Sequence, residues 1–110
     1  MIKDENLQIL EPMDLNADIV YSAGSVVSKT LVEGGGGTMT LFAFDKGEGL
    51  SEHTAPYDAS VLILDGKATI MLGGKPHKLK EGEMIIMPAG IPHSLKAAEP
   101  FKMLLIMIRS

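Results

Sequence analysis

The chain has 110 residues, 45% of them apolar, with ten basic against fourteen acidic side chains (net −4), no cysteine and no tryptophan. That is the size and make-up of one globular domain. The lack of thiols excludes disulfides, thiolate metal sites and cysteine nucleophiles, and the dispersed charge with no basic stripe argues against nucleic-acid binding.

No apolar run reaches the roughly 20 residues of a membrane helix. The opening Met1–Asn6 is charged and has no apolar signal core, so the expectation is a cytoplasmic protein with no membrane partner. Short apolar runs punctuated by Gly, Pro, Asp and Asn predict an all-β chain. Residues 1–25 are expected as an N-terminal segment that could contact a dimer partner, and residues 26–110 as a single barrel domain.

In chain order, Val26 to Leu31 reads as a strand, and Glu33–Gly37 as a turn. The glycine run there lacks the helix or Lys-Ser/Thr pair of a phosphate loop. Thr38 to Phe44 is the next strand, followed by a loop carrying Ser51 to Asp58. Ala59 to Leu64 and Lys67 to Leu72 are strand-like runs on either side of Asp65-Gly66, the pattern of a two-residue hairpin. Gly73-Gly74 is a further turn, His77 to Lys80 a short strand, and Met84 to Met87 another. The last strands are Ser94 to Ala97 and Phe101 to Ile108.

That makes eight or nine strands, and such a sheet manages its edges by closing or folding as a jelly roll. The run Met103–Ile108 is apolar at both alternating positions, so its outer face should be covered. A second subunit, making a homodimer, is the expected cover. The alternative is that Met1 to Val20 folds back over it.

The candidate chemistry lies in His53 and His93, each beside prolines and glycines at a strand end. Histidine is the common neutral metal ligand and the common proton carrier near neutral pH. No nucleophile elbow surrounds Ser51 or Ser60, no carboxylate pair is framed for glycosidic chemistry, and no catalytic residue is assigned.

The frame around the two histidines resembles the cupin superfamily. Gly47, His53, Ala55, Ala59 and Gly66 keep the spacing of G-x5-H-x-H-x3-E-x6-G. Gly82, Pro88, Gly90, His93 and Ala97 keep that of G-x5-P-x-G-x2-H-x3-N. The resemblance implies a cupin jelly-roll β-barrel. It also implies one divalent metal held by two histidines and a glutamate from the first motif and a histidine from the second. Here His53 and His93 fill two of those positions, whereas Ala55 and Ala59 occupy the second histidine and glutamate positions. Catalytic metal sites generally keep three protein ligands.

The cofactor readings are therefore none, or one divalent ion among Zn, Ni, Mn and Fe on His53 and His93. Extra ligands could then come from Asp58, one residue off register, or from His77, which shares a strand face with Leu79. The plainer readings are that Asp58 caps a loop and that His77 is a hydrogen-bonded residue near a turn.

Two alanines in place of polar ligands make a wider, more apolar cavity, the usual form of a small-molecule site. His53, Tyr57 and His93 are the polar groups expected there. Met71, Met84, Met87, Met103 and Met107 read as gap-fillers in strands, with a copper-binding Met/His set as the alternative. Three functions follow: a module binding a small molecule, a metal-dependent oxygenase or isomerase, or a dimer with a regulatory or assembly role.

Overall fold

A computed structural model describes residues 11–109. Every regular element among the described residues is a strand: β1 (Val26–Gly34), β2 (Gly37–Phe44), β3 (Gly49–His53), β4 (Asp58–Leu72), β5 (Lys75–Lys80), β6 (Met84–Met87), β7 (His93–Lys96) and β8 (Phe101–Ile108). All pairings are antiparallel. They form one sheet ordered β1-β2-β8-β4-β6 and a second ordered β3-β7-β4-β5, joined through β4. This is the jelly-roll architecture expected from the strand pattern.

The strand that joins the sheets departs from the sequence expectation. Asp65-Gly66 does not reverse the chain, and β4 runs through it for 15 residues. Opposite β8, Ile63 pairs with Met103 and Asp65 with Lys102, so Leu64 is an extra, bulged residue. The bulge changes parity. Before it, Ala59, Val61 and Ile63 are buried; after it, Ala68 and Ile70 are. One added residue turns the strand so that each half faces the interior from a different sheet.

Gly66 holds the corner at a φ of +75°, a backbone region costly for any residue with a Cβ. A Cβ there would lie 2.3 Å from the Pro100 carbonyl oxygen. The true hairpin is at Gly73-Gly74, whose φ values of +58° and +82° suit a two-residue primed turn between β4 and β5.

The loop expected over 51–58 is also partly strand. Ser51, Glu52 and His53 belong to β3, which pairs with β7. Ser51, Glu52 and His53 are polar and do not alternate with apolar residues, so pairing with β7, with Leu50 packed on the core, stabilises the extended form.

The interior is filled from both sheets. Phe44 and Phe101 are fully buried cross-strand partners with ring centroids 4.6 Å apart. Ile63, Ile70, Val61 and Met103 are buried around them.

The outer face of the first sheet has its own apolar cluster. Ile19 packs there with Leu31, Leu41, Ala43 and Leu104, and Met13, Leu15 and Tyr21 lie against them. Residues 13–21 thus pack over Leu104 of β8, part of the Met1 to Val20 cover weighed beside a second subunit; Met1 to Leu10 lie outside the described residues.

This segment is pinned by polar contacts. The Tyr21 hydroxyl donates to Asp65 Oδ2 at 2.6 Å, and Lys102 Nζ donates to the Asn16 carbonyl at 2.6 Å. The Lys102 ammonium also sits 5.2 Å from the Tyr21 ring centroid, within cation–π range. Burial, reinforced by the hydrogen bond to Asp65 and the charges of Asp65 and Glu99, pushes the Tyr21 phenol well above its ordinary value. Gly24 N–H donates to Asp45 Oδ2 at 2.7 Å. That bond, with one from Lys46 N–H, holds the Asp45 carboxyl below its usual range. Among the described residues no helix is long and apolar enough to cross a membrane.

Candidate functional site

His53 ends β3 and His93 begins β7, and the two are direct cross-strand partners. Opposed residues of antiparallel strands hold their Cβ atoms about 5 Å apart, close enough for side chains on one face to meet. A register irregularity between Leu50 and His53 sets the imidazole at the mouth of the barrel. His53 is exposed, whereas His93 is only 6% exposed.

The segment after His53 and the loop before His93 are tied together. Gly90 N–H donates to the Ala55 carbonyl at 2.9 Å, and Ala89 N–H donates to Asp58 Oδ1 at 2.9 Å. The segments bearing the two histidines are thereby fixed to each other.

Each ring is oriented by the same local device. His53 Nδ1 lies 2.7 Å from the Ser51 carbonyl oxygen, and His93 Nδ1 lies 3.1 Å from the Ile91 carbonyl oxygen. A carbonyl can only accept, so each Nδ1 carries the hydrogen and each Nε2 of a neutral ring presents a lone pair. The two Nε2 atoms are 3.0 Å apart, with the rings inclined at 69°. Lone pairs at that separation repel unless an electron-poor group lies between them. A group that offers a hydrogen-bond donor or a positive charge fits between them. Anchoring Nδ1 on a backbone carbonyl while Nε2 faces inward is also how proteins orient imidazole toward a metal.

Behind the pair is a cavity of about 50 Å³. Ala55 and Ala59, the positions where the resemblance implies a histidine and a glutamate, both line it. Ala59 lies in register between Met87 of β6 and Met107 of β8, and Met87, Met103 and Met107 form much of the wall. Methionine chains thus fill most of the room that the alanines release. What remains has room for a few waters, far below the 300–1,000 Å³ of a drug-sized pocket. A larger open groove of about 390 Å³ lies beside Lys67, Lys78, Lys80, Glu83 and Glu99, and no histidine lines it.

The remaining sequence candidates are placed elsewhere. Tyr57 is half-buried, with the Arg109 guanidinium 5.1 Å from its ring centroid, and it does not line the cavity. Asp58 is exposed and accepts the Ala89 amide, the loop-bracing arrangement rather than an approach to the pair. His77 is exposed on β5 opposite Ile70, on the far side of β4 from His93.

Among the described residues no grouping of three or more His, Cys, Asp or Glu could hold a metal ion. The donor set therefore does not fit the divalent centre that the resemblance implies: two imidazoles stand where three protein ligands are needed. Two features of the site are not readable from the sequence alone. The anchoring carbonyls of Ser51 and Ile91 are backbone groups, though each lies two residues before its histidine. The grouping of three methionines is signalled only by the shared parity of Met103 and Met107.

Comparison with known proteins agrees with the architecture. The chain is similar to a conserved protein of unknown function from Streptococcus pyogenes, with 38% identity over 91% of this chain and 88% of that one, at a TM-score of 0.87. It is similar to a Cupin 2 conserved barrel domain protein from Leptotrichia buccalis, with 44% identity over 88% of this chain and a TM-score of 0.86. The match covers 47% of that protein, so the chain spans about half its length. A cupin superfamily protein from Desulfitobacterium hafniense matches at 28% identity over 99% of this chain and 95% of that one, at a TM-score of 0.86. Among curated proteins there is no match. The cupin-domain family matches residues 40–108, which hold both histidines and the strands that carry them, and the chain belongs to the cupin family.

Proposed function

We propose that this cupin is a binding module whose working element is the His53–His93 pair, capturing one small electron-poor ligand between two Nε2 atoms at the mouth of a methionine-lined cavity. The observation that carries the reading is the 3.0 Å convergence of those atoms, with both Nδ1 atoms committed to backbone carbonyls. Such a pair cannot donate from Nε2 while both rings are neutral, so it selects ligands that present a donor or a positive charge. The cavity volume limits the buried part of the ligand to a few atoms. A divalent-metal oxygenase or isomerase is the weaker reading, because alanines stand in two of the four coordination positions.

The test is imidazole 15N spectroscopy combined with thermal unfolding, using ammonium, methylammonium, urea and small alcohols as probes. A binding probe should shift both Nε2 resonances together. At a hundredfold excess over its Kd it should stabilise the fold by about 2.7 kcal/mol. Independent behaviour of the two rings, or a response unchanged in His53→Ala, would refute the proposal.

A further inference from the structure

Away from the imidazoles, the outer face of the sheet β3-β7-β4-β5 gathers positive charge. Lys67 of β4 is the register partner of Lys80 of β5, and Thr69 is the partner of both Lys78 of β5 and Lys96 of β7. The residues between them, Ala68, Leu79 and Leu95, are buried. Alternation along each strand therefore sends Thr69 and the four lysines outward. Lys67, Lys78 and Lys80, with Glu83 and Glu99, line the open groove of about 390 Å³. We propose that this groove binds a small hydroxylated phosphomonoester, its phosphate held between Lys67 and Lys80.

The arrangement is costly without an anion. Like charges directly opposite each other in an antiparallel pair are destabilising. Among the described residues no carboxylate pairs with the side chains of Lys67, Lys78, Lys80 or Lys96. Lysines on an edge strand guard against unwanted strand pairing, and among the described residues β5 pairs only with β4. Edge protection does not account for Lys67 or Lys96, whose strands are paired on both sides. Charges spread along the sequence are thus brought onto one face by the fold, and a bound anion turns their repulsion into attraction.

The number of charges selects the anion. Opposed residues hold their Cβ atoms about 5 Å apart, so the two flexible lysine side chains can meet on one group. A carboxylate offers a single negative charge. A phosphomonoester carries about −1.5 to −2 near neutral pH, with three acceptor oxygens, and lysine serves as a point-charge partner for phosphate.

The acidic residues select the rest of the ligand. The Lys80 N–H donates to Glu83 Oε1 at 2.9 Å, so that carboxylate braces the turn after β5. Glu99 and the half-buried Thr69 remain to meet a ligand. A carboxylate accepts from hydroxyl groups and repels a second phosphate. The groove therefore suits a phosphate at one end and hydroxyls at the other, and its volume falls in the usual range of small-molecule sites.

The experiment is isothermal titration of the full chain at physiological ionic strength with ribose 5-phosphate, inorganic phosphate, ribose, acetate and a short single-stranded oligonucleotide. Ribose 5-phosphate should bind once per chain with a Kd below about 1 mM, and inorganic phosphate about tenfold more weakly. Ribose and acetate should give no measurable heat. Lys67→Gln and Lys80→Gln, both at exposed positions, should keep at least the parent Tm and weaken ribose 5-phosphate by about tenfold each. Lys80→Arg, which keeps the charge, should stay within about threefold of the parent. Lys75→Gln, on β5 but at the parity of Leu79, should bind as the parent does.

No binding of ribose 5-phosphate, or equal binding of inorganic phosphate, would overturn the proposal. So would undiminished binding in Lys67→Gln and Lys80→Gln, or an equal loss in Lys75→Gln. Tighter binding of the oligonucleotide would replace it with a polyanion surface. The reading of the His53–His93 pair does not depend on the result, because no histidine lines the groove.

Discussion

Restoring the missing carboxylate separates an open coordination slot from a merely packed one. Ala59→Glu adds a methylene and a carboxylate at a residue that is 3% exposed, beside a cavity of about 50 Å³. Overpacking costs about 1–3 kcal/mol, and a buried acceptor without a partner adds about 1–3 kcal/mol. The metal-free variant should therefore be less stable by about 2–6 kcal/mol, and Tm falls by about 4–8 °C for each kcal/mol in a domain of this size.

In Ala59→Glu the new carboxylate joins His53 and His93, and the site has the three ligands a divalent ion needs. Zn(II) at a hundredfold excess over its Kd should then return about 2.7 kcal/mol, while the same addition to the parent chain returns much less. Differential scanning fluorimetry with and without Zn(II), alongside isothermal titration, measures both halves. An unchanged Tm in the metal-free variant would mean that Ala59 does not face the cavity. A fall in Tm that Zn(II) never reverses would mean that the slot and the imidazoles do not share a centre.

The corner of β4 makes a second prediction. Gly66→Ala forces a Cβ to within 2.3 Å of the Pro100 carbonyl oxygen at positive φ, and chemical denaturation should show a loss of about 2–4 kcal/mol. Tyr21 makes a third, through pH. Its phenol is raised above its ordinary value near 10, so its contribution is complete below that value and is lost as alkaline pH ionises the unfolded chain first. Tm measured between pH 8 and 11 should fall more steeply above about pH 10 in the parent than in Tyr21→Phe; parallel curves would contradict the assignment.

The fold is legible in places where local chemistry and tertiary role coincide. Met84–Met87 and Phe101–Ile108 have the same bounds in sequence and structure, because each is an apolar run between clear turn residues. Asp65-Gly66 misleads because a glycine at positive φ serves a bulge as well as a hairpin, and Ala59–Leu64 is too apolar at both parities to reveal which face is buried. The meeting of His53 and His93 is what the cupin resemblance of the motifs around them implies. The bracing role of Asp58 matches the loop capping expected of it, but its partner, Ala89 N–H, is a backbone group on another loop. Tyr57 is expected in the cavity on its polarity; the cation of Arg109, distant in sequence, engages its ring instead.

Because β4 belongs to both sheets, the two layers share one strand. Peeling either layer away must tear the same fifteen-residue strand, so the amides of both layers should become exposed to deuterium in one event rather than in sequence. The consequence reaches the imidazoles: β7 pairs with β4, so loss of the shared strand should also dissolve the frame that holds His93 opposite His53.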